Sequence, residues 1–227
     1  MSDSAAMVNA GSRIDVVVEV MPKRSFASAL EWAGWCRSGR TPEAALEALA
    51  GYAPRYAAVA TKAGLRLPAV RGAQSFVVVE EVQGNATTEF GAPSIAARVE
   101  VGPASARDAA RVATLLETAW TVLDEAVASA PAQLRKGPRG GGRDRDAMYQ
   151  HVVAAEHAYA GKLGVSGRPP GGDAAAVNAM RQAILEVIRA DRTGQPGRER
   201  GWAPRYGARR LAWHALDHAW EMQDRSS

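Results

Sequence analysis

The chain has 227 residues, of which 47% are hydrophobic and 23% charged, and its formal net charge at pH 7 is +4. These values are ordinary for a globular protein of one large or two small domains, and no apolar run reaches the roughly 18 residues that a transmembrane helix needs. The single cysteine, Cys36, excludes an internal disulfide and a cysteine-rich zinc cluster, and positive charge alone is weak evidence for a nucleic-acid partner.

The first part of the chain is dominated by strand-like patterns. Residues 1–11 lack the basic start and apolar block of a signal peptide, so we expect a disordered lead in a cytoplasmic protein. Strands are then predicted in four valine-rich or turn-flanked segments, at 14–20, 24–32, 76–82 and 95–101. The second of these is expected to pair back on the first.

One helix is predicted between the strands, from Thr41 to about Ala63. Thr41 can cap its first turn, Pro42 suits the first helical position, and Gly64 can end it. A regular apolar stripe along this segment is typical of a helix that packs on a sheet.

From residue 105 onward the pattern changes to helices with inward apolar stripes. They are predicted at about 105–130, 144–163, 173–192 and 205–224, separated by loops rich in glycine and proline. Four such helices favour a four-helix bundle. The predicted fold class is therefore α+β, with a small α/β module at 12–102 and a four-helix bundle at 103–227.

All four histidines lie in the second and fourth of these C-terminal helices. His214 and His218 are four residues apart, so their side chains leave the same helix face one turn apart and can chelate one metal ion. His151 lies on an inward stripe, whereas His157 falls on a different face. Spacing alone leaves open both a three-histidine metal site and a set of hydrogen-bonded core histidines.

Two segments, MYQHVVAAEHAYAGKLG and RRLAWHALDHAWEMQDR, resemble the DinB/YfiT-like superfamily of metalloenzymes over about residues 105–225. That family takes one histidine from the second helix in a pattern like H-x4-E, which His151 and Glu156 match. It takes two more from an H-x3-H near the end of the fourth helix, which His214 and His218 match. The resemblance implies that these three histidines bind a divalent metal, zinc or nickel, and leave a coordination position open.

The function implied by the resemblance is that of a metal-dependent enzyme acting on a small-molecule substrate. The resemblance implies a transferase that uses a low-molecular-weight thiol such as mycothiol, or a hydrolase or isomerase. A divalent ion with an open coordination position can activate a bound thiol or water for such reactions. The alternative is a non-catalytic binding module with a structural metal, which recognises an anionic or protein partner. A fourth protein ligand would favour that alternative, and His157 is the one histidine left to supply it.

Further side chains are candidates for roles around the metal. Carboxylates that can orient the ligand histidines are Glu156, Asp217 and Glu221. Candidates for binding substrate are Arg139, Arg143, Arg145, Tyr149 and Trp213. The three arginines belong to the basic loop 134–145, which leads into the helix of His151 and suits a carboxylate or phosphate; a solvated loop is the alternative.

The N-terminal segment at about 12–70 resembles the HicB-type antitoxin fold. The likeness rests on a first strand, the stretch SGRTPEAALEAL and a closing Gly-Leu-x-Leu-Pro. Trp35-Cys36 stands where that family has Pro-Gly-Cys. The matching motif is short and the DNA-binding tail of that family is not recognised in the sequence, which argues against a toxin–antitoxin role. We expect a small module that shields the helices, shapes the mouth of the site or mediates homodimerisation.

Overall fold

The computed structural model describes residues 13–137 and 142–226. Within these ranges the protein is a mixed α+β structure with a four-stranded sheet and seven α-helices, which confirms the predicted α+β class. The strands are β1 (Ile14–Met21), β2 (Arg24–Ala29), β3 (Cys36–Gly39) and β4 (Phe76–Gln83). The helices are α1 (Pro42–Gly51), α2 (Ala53–Lys62), α3 (Ala86–Phe90), α4 (Ala106–Ser129), α5 (Arg145–Lys162), α6 (Ala174–Ala190) and α7 (Pro204–Ser226). None of these helices combines the length and apolar character that crossing a membrane requires.

The sheet has the strand order β3-β2-β1-β4. β1 pairs antiparallel with β2 and parallel with β4, and β2 pairs antiparallel with β3. The predicted strands at 14–20, 24–32 and 76–82 are confirmed as β1, β2 and β4, although β2 ends at Ala29. β3 was not predicted, because its four residues are too few to show an alternating pattern.

The predicted strand at 95–101 is wrong. A 3-10 helix occupies Arg98–Val101, and the backbone before it bonds to side chains of the sheet instead of to a neighbouring strand. The N–H groups of Ser94 and Ile95 donate to Glu19 of β1, with N–O distances of 2.8 and 3.1 Å. Carboxylate acceptors therefore satisfy the backbone donors that a strand would have paired.

The single helix predicted from Thr41 to Ala63 is two helices in the structure. α1 ends at Gly51 and α2 begins at Ala53. The break has a local cause, because Pro54 in the first turn of α2 has no N–H to donate and its ring displaces the carbonyl of the preceding turn. The predicted cap is confirmed, since the Thr41 hydroxyl accepts from the N–H of Ala44 at 3.2 Å.

Helices α4 to α7 agree with the predicted segments to within two residues at each end. α7 packs against α4, α5 and α6, and all four contribute to one apolar core that continues into the sheet. Trp213 of α7 meets Phe26 of β2 edge to face, with ring centroids 6.1 Å apart. Since α7 packs against the other helices and meets the sheet through contacts such as this one, three of its polar residues are buried, namely Arg209, Arg210 and His214.

Candidate metal centre

Helices α5 and α7 bring three of the four histidines together. His151 comes from α5, and His214 and His218 come from successive turns of α7. One ring nitrogen from each lies within 4.8 Å of the others. Nitrogens that share one zinc ion lie about 3.4 Å apart, since each Zn–N bond is about 2.1 Å. Small side-chain rotations are therefore enough to place all three nitrogens on one ion.

The surroundings keep the cluster in the state that binds a metal. Burial, followed by the charges of His218 and His151, lowers the pKa of His214 to about 2. Burial also lowers the pKa of His151, with a further contribution from the charge of Arg143. Neutral imidazoles have a lone pair to donate, so burial favours the metal-binding form of His214 and His151.

One ring nitrogen of His214 is buried without a hydrogen-bond partner among the described residues, as expected for a nitrogen that binds a metal. This nitrogen is Nδ1, and His214 is 7% exposed. Leaving a buried polar atom unpaired costs about 1–3 kcal/mol. A donor set of three imidazoles with such an orphaned nitrogen fits a divalent ion that prefers nitrogen ligands.

Of the three carboxylates predicted to orient the ligands, the structure brings one to the cluster. Glu221 Oε2 lies 3.1 Å from Nδ1 of His218, which leaves Nε2 of that ring for the metal. The other Glu221 oxygen accepts from Arg225 Nη1 at 2.8 Å. The His218 contact is the main cause that lowers the pKa of Glu221, so the carboxylate is ionised and accepts the imidazole N–H.

The other two carboxylates have partners elsewhere. Asp217 accepts from Arg37 of β3 at 2.8 Å, which ties α7 to the sheet. Glu156 is 1% exposed and forms two bonds to Arg181 of α6, at 3.0 and 3.2 Å. Neither carboxylate therefore orients a ligand histidine, because each faces an arginine from an element distant in sequence.

The predicted substrate-binding residues are scattered. Arg139 lies outside the described residues. Arg143 is exposed, and its charge acts on His151 and His214, whereas Arg145 donates to Asp146 at 2.7 Å. The structure thus leaves Arg143 as the described arginine of the basic loop whose charge reaches the histidines.

The two predicted aromatic residues have different positions. Trp213 lies beside the cluster, with its ring centroid 5.9 Å from that of His214. Tyr149 is half-buried. Burial is the main cause that raises the pKa of its hydroxyl, and the charges of Arg181 and Asp124 have smaller effects on that pKa. Only Trp213 of this pair therefore touches the histidines.

Two residues at the cluster were not among the predicted substrate contacts. The Tyr159 ring lies 6.0 Å from that of His214, measured between centroids. Arg210 lies one helical turn before His214 and donates a hydrogen bond to the Tyr159 hydroxyl. Its charge also lowers the pKa of His214, although burial and the two neighbouring histidines have larger effects. The sequence signal that could have found Arg210 is its spacing, because it precedes His214 by the same four residues that separate His214 from His218.

Two cavities lie away from the three histidines. One of about 340 Å³ is bordered by His157 and by the loop that follows α5, where His157 Nε2 lies 3.1 Å from the Gly167 carbonyl. The other, of about 560 Å³, lies at the starts of α4 and α7 and contains Arg111 and Arg205 in its wall. The fourth histidine is thus committed to a backbone contact outside the cluster.

Comparisons with known proteins found no relative: no family model matches the chain, and no curated protein or solved structure matches it.

Proposed function

We propose that this protein is a metal-dependent enzyme whose divalent ion, zinc or nickel, is held by His151, His214 and His218. The observation that carries the proposal is the convergence of one nitrogen from each ring within 4.8 Å. The resemblance of residues 105–225 to the DinB/YfiT-like superfamily supports the same reading, since its motif positions are these three histidines.

The proposal extends to the architecture. Helices α4 to α7 would correspond to the four-helix bundle of that superfamily, with ligands from the second and fourth helices. The sheet with α1 and α2 would correspond to the HicB-like module. Contacts such as Arg37 to Asp217, at 2.8 Å, support a role for this module in positioning the metal-binding helix.

The ligand set supports an open site rather than a closed structural one. The group of converging ligands in the described residues holds the three histidines and no carboxylate. His157, the one remaining histidine, faces the Gly167 carbonyl, and Glu221 faces the second nitrogen of His218. Three protein ligands with a vacant fourth position are typical of catalytic zinc, whereas four are typical of structural zinc.

The chain's own residues would prepare this chemistry in two ways. Burial keeps His214 neutral, and because imidazole ligands bind a metal in their neutral form, the ion would retain its full charge as a Lewis acid. Glu221 holds His218 in one tautomer and orientation through Nδ1. When bound, the ion would activate a thiol or water, which supports a transferase using a low-molecular-weight thiol such as mycothiol, or a hydrolase or isomerase.

Metal analysis of the purified chain tests the proposal. Reconstituted wild type is expected to hold about one zinc or nickel ion per chain, and His214→Ala and His218→Ala are expected to lose it. His157→Ala is the matched control and is expected to keep its metal, because His157 lies outside the cluster. Wild type without stoichiometric metal, or equal loss in the control, would overturn the proposal.

Turnover separates an enzyme from a binding module. Metal-loaded protein incubated with mycothiol and an electrophile, or with ester and amide substrates, is expected to turn over and to stop when a chelator removes the ion. Stoichiometric metal without turnover, or turnover that the chelator does not affect, would count against metal-dependent catalysis.

A further inference from the structure

Arg210 of α7 is a buried cation that has no acidic partner among the described residues. Arg210 is 6% exposed, and its Nη2 donates to the Tyr159 hydroxyl at 3.1 Å. Its Nη1 is buried, and none of the residues that the structure describes accepts a hydrogen bond from it. No carboxylate of the described residues forms an ion pair with it. A buried charge that lacks a counterion is destabilising, so its persistence indicates a partner that the described residues do not supply.

The other two buried arginines of the described residues each form an ion pair with a carboxylate. Arg209, 3% exposed, binds Glu100 through two N–O contacts of 2.6 and 2.8 Å. Arg181, 4% exposed, binds Glu156 and also Asp124 at 2.9 Å. Arg210 is similarly buried and differs from both because no carboxylate within residues 13–137 and 142–226 pairs with it.

Arg210 also lies beside the histidine cluster. It precedes His214 by one turn of α7, so the two side chains leave the same face of the helix. Tyr159 and Trp213 contact both groups: their ring centres lie 5.3 and 4.7 Å from the guanidinium carbon, and about 6 Å from the His214 ring. These rings support the cation through their faces but provide only one oxygen acceptor, the Tyr159 hydroxyl.

We propose that Arg210 binds the carboxylate of the substrate at the inner end of the histidine site. This inference rests on the proposed function, because it places the rest of that substrate at the metal. His151 and His218 are partly exposed, whereas His214 and Arg210 are buried, so an anionic group at Arg210 lies deeper than the ligands on the exposed side. The substrate class is a small carboxylic acid.

A carboxylate fits Arg210 better than a phosphate does. Arg210 itself carries one positive charge, which a carboxylate balances, whereas a phosphate monoester carries nearly two negative charges at pH 7. The planar guanidinium also has Nη2 already engaged by Tyr159, so its free donor is on the Nη1 side. Hydrogen bonds to a planar carboxylate suit this arrangement.

Isothermal titration calorimetry tests the inference. Three ligands are titrated into the cobalt-loaded full chain: propionate, its neutral analogue propionamide, and inorganic phosphate. Wild type is expected to bind propionate in preference to the other two. Arg210→Gln is expected to weaken propionate binding by about tenfold or more, and Arg210→Lys by less, because a lost charged hydrogen bond accounts for a change of that size. Thermal unfolding establishes that each variant is folded.

Arg189→Gln in α6 is the matched control, since Arg189 is an exposed arginine that pairs with Glu117 at 3.0 Å. It is expected to change propionate binding by no more than about twofold, because solvent screens an exposed charge. Equal propionate affinity in wild type and Arg210→Gln would overturn the inference, as would the absence of saturable binding to wild type. Tighter binding of phosphate or propionamide would overturn the carboxylate assignment, and this comparison needs no variant.

Cobalt content distinguishes the two proposals. Wild type and both Arg210 variants are expected to bind about one cobalt ion per chain with equal affinity. If wild type binds none, the proposed metal function fails, and titration of propionate into the metal-free wild type and Arg210 variants decides the role of Arg210 separately. If cobalt binds normally and propionate affinity does not depend on Arg210, the inference alone fails.

Discussion

Neutralising one partner of the buried ion pair between Arg209 and Glu100 is expected to destabilise the fold strongly. Arg209 lies on α7 and Glu100 in the 3-10 helix that precedes α4, and both are 3% exposed. Two N–O contacts of 2.6 and 2.8 Å join them, and Glu100 also accepts the Ala97 N–H at 2.8 Å. The substitution Glu100→Gln keeps the shape of the side chain and removes its charge.

The size of the effect follows from the burial of the cation that is left behind. Breaking a buried pair by neutralising one partner costs about 3–5 kcal/mol, since the remaining charge is neither solvated nor compensated. A chain of this length loses roughly 2–4 °C in Tm for each kcal/mol. Glu100→Gln should therefore lower Tm by about 6–20 °C.

Thermal unfolding followed by circular dichroism measures this change. Glu117→Gln is the matched control, because Glu117 pairs with Arg189 at 3.0 Å where both side chains are more than 40% exposed. Such a surface pair contributes about 1 kcal/mol or less. A Tm for Glu100→Gln no lower than that of the control would refute the reasoning that Arg209 depends on Glu100 for its charge compensation.

Three further predictions concern other parts of the molecule. Glu221→Gln should weaken metal binding by about 10–100-fold in a cobalt titration, because Glu221 orients His218. Burial raises the pKa of Cys36 from 9.0 to about 11, so alkylation of the native thiol by iodoacetamide should increase steeply only near pH 11. The neutral thiol is favoured in the folded state, so its contribution to stability is present below pH 9 and is lost as pH rises from 9 to 11. Gly34→Ala should destabilise the fold by about 1–3 kcal/mol in urea unfolding, because Gly34 has φ +93° and a Cβ there would lie 2.7 Å from Leu216 Cδ1.

Each of these has an outcome that contradicts it. Metal affinity in Glu221→Gln equal to that in Glu117→Gln would remove the orienting role. Alkylation of native Cys36 that increases with a midpoint at pH 9 or below would show that the thiol is not buried. For Gly34→Ala the control is Gly161→Ala in α5, where a Cβ meets nothing within 4 Å; similar stability of the two variants would count against a tight loop–helix contact.

The metal centre illustrates how much local pattern can predict. The histidine pair on α7 is four residues apart, and helical geometry alone places both rings on one face. The apolar stripe around His151 predicted that it points inward, and the structure brings it to the pair. His157 was predicted to leave from a different face of α5, and it contacts the Gly167 carbonyl instead. These predictions depend on helical periodicity, which is a property of the sequence.

The partners of the charged residues could not be predicted in the same way. Glu156 follows His151 at the motif spacing, yet it pairs with Arg181 of a different helix. Asp217 adjoins His218 in sequence, yet it pairs with Arg37 of the sheet. An ion pair depends on which distant elements pack together, and sequence spacing within one helix carries no information about that.

What the sequence by itself determined was the set of long helices, three of the strands and the face on which the histidines lie, because periodicity and capping are local properties. What only the tertiary structure decided was the environment of α7. Enclosure between the sheet and the other helices leaves His214 neutral and Arg210 without an acidic partner among the described residues. Burial and charge compensation arise when distant segments meet, and for that reason they are visible only in the folded protein.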